Sequence, residues 1–297
     1  VISLGGAVKH IKYEPIKMEE YGDDWIIHPV DNYGTPDMIR SALRTEKPDI
    51  LWFMTDPRFF GWLWEMNNEI QPLVPMVYYH VWDNYPYPLF NKKFYDSNDV
   101  VVTISKLTDD IVRTVSPDIE CLYHTHAVDT DVFKKLPDSE IEKQKLNHGF
   151  KDKFVFFYNN RNARRKMTGS IMFWFKDFLD EIGHDKACLL MHTDPYDPYG
   201  QDLYMLLEIL GLTDGQIVFS TNKYSLPDLA GLYNLADCTI NISDAEGFGL
   251  ATLESLACET PIIINKTGGL QQQISDGEIE FGVGITPASK AIIGSQE

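Results

Sequence analysis

Short runs of β-branched and aromatic residues alternate along this chain with longer stretches whose apolar positions recur every three or four residues. In the first half the strand-like runs are "DWIIH" (24–28), "DILWFM" (49–54), "PMVYYH" (75–80), "DVVVTIS" (99–105) and "IECLYH" (119–124), with helical spacing at 36–46 and 105–115. In the second half they are "KFVFFYN" (153–159), "KACLLMH" (186–192), "QIVFS" (216–220), "DCTINIS" (237–243) and "PIIIN" (261–265), with helices expected over 167–182, 200–211, 225–236 and 249–258. Strands followed by helices predict α/β architecture, with parallel sheets covered on both faces. So many strands exceed one compact sheet with short crossovers. The polar stretch "HAVDTDVFKKLPDSEIEKQKLNHGF" (126–150) reads as a linker followed by a surface helix. Two Rossmann-type domains are therefore expected, 1–135 and 136–297, facing a cleft with a hinge near 126–137. The chain starts at Val1, and both ends are expected to be short of a full domain pair.

Charge sharpens this picture. The formal net charge is −18 over 297 residues, which disfavours nucleic acid and anionic membranes as partners. Against that average the cluster "RNARRK" (Arg161 to Lys166) stands out. No apolar run approaches the roughly 20 residues that span a bilayer, and no secretory leader is visible. The four cysteines, Cys121, Cys188, Cys238 and Cys258, lack CxxC spacing. They read as small buried residues in a reducing compartment, so a cytoplasmic location is expected.

The most informative stretch is "SDAEGFGLATLESLA" (243–257), which follows an apolar strand. Leu250, Leu253, Leu256 and Ala257 form a helical stripe. The start of that helix offers free backbone amides and a positive dipole end, suited to phosphate. Gly247 and Gly249 remove side chains where a ligand must come close. Glu246 lies just before the helix and Glu254 inside it, so one acid can face the cleft from the loop and the other can reach a ligand's hydroxyls. The plainer alternative is a capping acid and a solvated helix glutamate.

The surrounding residues carry a resemblance. The run "EGFGLATLESLACETPIIINKTGG" resembles the C-terminal half of retaining glycosyltransferases of the GT-B fold, family 4 (glycosyl transferases group 1). An E-x7-E motif, a strand with a preceding proline and a Gly-Gly pair occur in order. Glu259 stands where that family usually has glycine, and Gln272 where a glutamate often follows the glycines. "CLYHTHAVDTDVF" resembles the interdomain segment, with Ala127 replacing a glycine. "FFYNNRNARRKMTG" resembles the Arg…Lys element that opens the second domain.

The resemblance implies a retaining transfer of sugar from a nucleotide-diphosphate donor, such as a UDP- or GDP-sugar, to a hydroxyl acceptor, without metal. Arg161 and Lys166, rather than Arg164 and Arg165, match the diphosphate-binding pair. Two fixed cations beside the leaving phosphate stabilise the transition state more than the ground state. By the same resemblance Glu254 accepts from the ribose hydroxyls and Glu246 touches the donor sugar. Gly247, Phe248, Gly249 and Leu250 offer backbone groups, and Thr221, Asn222, Lys223 and Tyr224 hold the base. His80 resembles an acceptor-side histidine, and Gly5 and Gly6 an N-terminal glycine loop near the phosphates. "DTD" (129–131) mimics a metal-binding D-x-D but falls in the interdomain segment. The acceptor is expected to be a carbohydrate or other hydroxyl compound, and a lipid acceptor would bring the protein to a membrane surface. The rival readings are a sugar-nucleotide-binding protein without turnover, and another GT-B enzyme such as an epimerase.

Overall fold

The computed structural model describes residues 1–5, 14–17, 22 and 24–289. Gly6 lies outside the described residues. The first lobe runs β1 (Ile2–Gly5), β2 (Ile16–Lys17), β3 (Ile26–Pro29), α1 (Pro36–Glu46), β4 (Leu51–Met54), α2 (Pro57–Glu65), α3 (Asn67–Ile70), β5 (Met76–His80), α4 (Lys92–Tyr95), β6 (Val100–Thr103), α5 (Lys106–Val115) and β7 (Cys121–Tyr123). The second runs α6 (Asp138–Asn147), β8 (Phe154–Asn159), α7 (Thr168–Ile182), β9 (Ala187–His192), α8 (Leu203–Leu210), β10 (Ile217–Ser220), α9 (Leu226–Leu235), β11 (Cys238–Asn241), α10 (Leu250–Ala257), β12 (Ile262–Asn265) and β13 (Gly282–Ile285).

Local chemistry sets the boundaries. Ser105, Asp202 and Ser225 cap α5, α8 and α9 by accepting from backbone N–H groups three residues on. The Asp56 carboxylate caps α2 through Arg58 N. Gly211 ends α8 with φ +68, a left-handed turn that costs glycine nothing.

The second sheet is wholly parallel, in the order β10-β9-β8-β11-β12-β13. In chain order that is 3-2-1-4-5-6, the doubly wound arrangement whose direction reverses between β8 and β11. The central strands "FVFFYN" and "ACLLMH" are nearly continuous apolar runs because both faces are covered. On one face Ile171, Met172, Phe175 and Leu179 of α7 pack with Leu189 and Met191. On the other, Phe157, Cys188 and Leu190 pack with Tyr233 of α9. All four cysteines are buried and free.

The first lobe has a four-stranded parallel sheet, β4-β5-β6-β7. The strand expected at 24–28 does not join it. As β3 it pairs with β1 and β2 in a separate three-stranded sheet. Strand β13 escapes sequence reading because "GVGI" has no pattern of its own. A Cβ at Gly282 would stand 1.9 Å from the Ile262 carbonyl oxygen, so close strand approach dictates the glycine. The lobes touch through Tyr79, Ile104 and Phe248. Gln272 also bridges them: its Oε1 accepts from Lys106 N (2.9 Å) and its Nε2 donates to the Tyr123 hydroxyl (3.2 Å).

Candidate active site

Both parallel sheets point the carboxyl ends of their strands at one cavity of about 600 Å³. From the first lobe come Met54, Asp56 and Arg58 after β4, Val81 to Asn84 after β5, Ile104 after β6, and His126. From the second come Asn160 after β8, Arg165 and Lys166, Asn241 at the end of β11, and Glu246 to Ala251. The second-lobe wall therefore sits at the β8/β11 reversal, where open α/β sheets bind ligands.

Two loops build that wall. The turn Arg164–Lys166 is held from below by Tyr158 of β8, whose buried hydroxyl donates to the Lys166 carbonyl (2.9 Å). The same turn is tied to the loop after β11: Asp244 N donates to the Arg165 carbonyl (2.8 Å) and Arg165 Nη1 to the Ala245 carbonyl (2.6 Å). At the centre Lys166 Nζ donates to Glu246 Oε2, and both side chains are largely buried. Burial pushes the Lys166 ammonium below its ordinary pKa, and the Glu246 carboxylate opposes that.

The 246–249 loop is set by its neighbours. Gly269 N donates to the Glu246 carbonyl (2.8 Å). A Cβ on Gly268 would stand 1.9 Å from that same carbonyl oxygen, and Gly268 has φ +51, so the Gly-Gly pair is a seat for the loop. Gln273 Nε2 donates to the Phe248 carbonyl (2.6 Å). Gly249, with φ +92, starts α10 without a side-chain cap, leaving the first turn of the helix at the cavity. Asn160 Nδ2, Asn241 Nδ2 and Trp82 Nε1 are buried without a hydrogen-bond partner among the described residues. All three residues line the cavity.

The structure thus brings together Lys166, Glu246, Gly247, Phe248, Gly249 and Leu250. Glu254 stands behind them on α10, partly buried, accepting from the Tyr233 hydroxyl (2.6 Å), which in turn accepts from Asn159 Nδ2 (2.8 Å). Burial raises the Glu254 pKa, and the Tyr233 hydroxyl opposes the rise. Thr221, Asn222, Lys223 and Tyr224 form an exposed loop after β10, on the same sheet edge but outside the cavity lining. Tyr224 is fixed there by Ser220 Oγ (3.3 Å) and by its ring against His192.

Three further expected site residues do not line the cavity. Arg161 does not line the cavity: its side chain is 59% exposed, bonded to Asp197 (2.6 and 3.1 Å) and laid over the Tyr199 ring. Arg165 is the arginine that faces the cavity beside Lys166. In "RNARRK" the extended residue Ala163 separates Arg161 from the turn Arg164–Lys166 that carries Arg165 and Lys166. His80 is a core residue, with Nδ1 on the Tyr78 hydroxyl (2.7 Å) and Nε2 on the Tyr95 hydroxyl (2.8 Å), and burial pushes its pKa down to about 3. Gly5 ends β1 in the small sheet, also outside the cavity lining.

Sequence reasoning missed Asn160 and Asn241, although each sits at the carboxyl end of a strand bordering the reversal, a position any strand-end polar residue would flag. Asp129 of the "DTD" run accepts from Asp131 N (2.9 Å), a local turn bond. No helix among the described residues is long and apolar enough to cross a membrane.

The family model for glycosyl transferases group 1 matches residues 138–292, more than half of the chain. The chain belongs to that family. Among curated relatives, D-inositol 3-phosphate glycosyltransferase of Arthrobacter sp. (strain FB24) is 38% identical over 76 residues, 26% of this chain and 18% of that protein. N-acetyl-alpha-D-glucosaminyl L-malate synthase of Bacillus anthracis is 25% identical over 190 residues, 63% of this chain and 46% of that protein. The chain thus spans under half the length of these relatives. Among solved structures, sucrose-phosphate synthase from Thermosynechococcus elongatus superposes with a TM-score of 0.77 at 16% identity, covering 97% of this chain and 76% of that one. Anabaena HepE, solved in complex with UDP and glucose, gives 0.72 at 15% identity, covering 96% and 78%. These likenesses show the GT-B fold, two Rossmann-like lobes.

Proposed function

We propose that this group 1 chain transfers a sugar from a nucleoside-diphosphate sugar to a hydroxyl acceptor, with retention of anomeric configuration and without a metal. The observation that carries the reading is the Lys166–Glu246 pair, buried beside Arg165 and the uncapped start of α10 at the strand-order reversal. A diphosphate placed there would meet two cations, the free amides of a helix start and the orphaned Asn160 and Asn241 amides. The relative solved with UDP and glucose supports a nucleotide-sugar donor. Glu254 on α10, which accepts from the Tyr233 hydroxyl, is the group this reading assigns to the ribose hydroxyls.

In the transfer, the bond between the sugar's anomeric carbon and the leaving phosphate oxygen breaks, and its electron pair stays on that oxygen. The acceptor oxygen bonds to the same carbon from the same face, and its proton passes to the leaving phosphate. Lys166 and Arg165 oppose the charge that grows on the phosphate, which acts on the barrier more than on binding. The test is calorimetric titration with UDP and GDP, then NMR of the product formed from the matching α-linked sugar nucleotide. Nucleoside diphosphate binding and an α-linked product are expected. Absence of binding, or a β-linked product, overturns the reading.

A further inference from the structure

The first-lobe wall of the cavity differs in chemistry from the wall that holds the cations. Its charged and titratable members among the described residues are Asp56, Arg58, Asp83 and His126. Arg58 is engaged: Nε donates to both Asp56 oxygens (3.1 and 3.0 Å) and Nη2 to Oδ2 (2.6 Å). His126 holds the Tyr79 hydroxyl at Nδ1 (3.0 Å), and burial lowers its pKa, disfavouring the charged ring. Asp83 forms no direct ion pair among the described residues and stands partly buried on the same cavity as Arg165, Glu246 and Lys166; burial raises its pKa, and Arg165 opposes the rise. Beside it are the Asn84 amide and the Trp82 indole. The wall offers a carboxylate, an amide and an aromatic surface, and its cation is already neutralised.

A phosphate or carboxylate on an acceptor would stand against the like charge of Asp83, and among the described residues the cations nearest it, Arg165 and Lys166, are taken by the donor diphosphate in the transfer reading, so its desolvation cost is poorly offset. A neutral polyol suits the wall. Its hydroxyls donate to the Asp83 carboxylate in a charge-assisted bond and accept from the Asn84 amide, while its C–H face covers Trp82. We infer that the acceptor is an uncharged sugar or polyol held through a hydroxyl by Asp83, and that this wall rejects acceptors bearing phosphate or carboxylate. The inference rests on the transfer reading above. It separates this chain from relatives whose names contain D-inositol 3-phosphate or L-malate.

The test uses the whole chain saturated with whichever of UDP or GDP binds. Matched probes are titrated by saturation-transfer NMR: glucose against glucose 6-phosphate, fructose against fructose 6-phosphate, and myo-inositol against D-inositol 3-phosphate. At least one neutral member binds about 10-fold or more tightly than its anionic partner, and Asp83→Asn weakens that binding about 10- to 100-fold. In the same variant the nucleotide still binds, with a Kd no more than about twofold weaker than in the unmodified chain, which also shows that it is folded. Failure of the nucleotide to bind the unmodified chain overturns the transfer reading. With nucleotide bound, equal or tighter binding of the anionic partners, no binding of any neutral probe, or an unchanged affinity in Asp83→Asn overturns the acceptor inference alone.

Discussion

Lys166 and Glu246, 80 residues apart in sequence, meet as an ion pair whose side chains are 9% and 15% exposed. Each comes from a loop at the strand-order reversal, so the pair reports that the two loops are in register. On the transfer reading proposed above, it gives the lysine two tasks, neutralising Glu246 and opposing the charge on the leaving phosphate. Lys166→Met is expected to lower kcat/KM by about 2–4 kcal/mol, as for a lost oxyanion donor. It should also destabilise the fold by about 1–3 kcal/mol, less than a fully buried pair because the cavity admits water to Glu246. The double variant Lys166→Met, Glu246→Gln separates the tasks. Urea denaturation should show most of the stability restored, and kinetics should show no recovery of turnover.

Arg165 and Arg161 give a contrasting pair. Only Arg165 lines the cavity, whereas Arg161 is spent on Asp197 at the surface. Arg165→Ala is expected to raise the Kd for a nucleoside diphosphate by about 10-fold or more, the loss of one charge-assisted contact. Arg161→Ala should change it less than about threefold, since an exposed pair contributes about 0–1 kcal/mol. Equal effects of the two substitutions in calorimetric titration would contradict this assignment.

These contrasts mark where the sequence stops informing. Strand runs such as "FVFFYN" and "ACLLMH" and the E-x7-E helix are local patterns, so the second lobe and most of its wall are legible in the sequence. Which arginine of "RNARRK" lines the cavity is not, because the Arg165 turn is tied by Asp244 N, which donates to it, and by the Ala245 carbonyl, which accepts from it, some eighty residues away. His80 misled for a related reason. A histidine at a strand end reads as a site residue until Tyr78 and Tyr95 are seen to occupy both ring nitrogens. The separate sheet β1-β3-β2 was hidden because a run such as "DWIIH" states that it is a strand and not which strand it joins. Glu259 shows the reverse case: it holds φ +59, the left-handed geometry that explains why glycine is usual there in the family it resembles.

Gly247 is set by the opposite lobe. A Cβ there would stand 2.1 Å from Val81 Cγ2, and a valine has little freedom to turn aside. Gly247→Ala should therefore push the lobes apart and lower kcat/KM about 10-fold or more, the penalty expected when positioning is lost. Val81→Ala in the same chain removes the atom that clashes. The double variant should recover most of the lost rate in steady-state kinetics. Failure to recover would mean that the alanine acts on the donor side alone.

The buried His80 ties stability to acid. Its pKa falls from 6.5 to about 3 because burial opposes the charged ring. The unfolded chain therefore takes up a proton below pH 6.5 that the folded chain refuses. The stabilising contribution is complete above about pH 6.5 and is lost as pH falls toward 3, by up to about 1.4 kcal/mol per unit. In His80→Gln the titrating ring is gone while an amide remains to meet the Tyr78 and Tyr95 hydroxyls. Between pH 6 and pH 4 the unmodified chain should lose roughly 2 kcal/mol more of its urea-measured stability than the variant does. A direct check on the unmodified chain is the His80 ring resonance, which should stay that of neutral imidazole at pH 4.5. A ring that titrates near 6.5, or identical pH slopes for the two chains, would show that His80 is open to solvent and return it to the cavity side of strand β5.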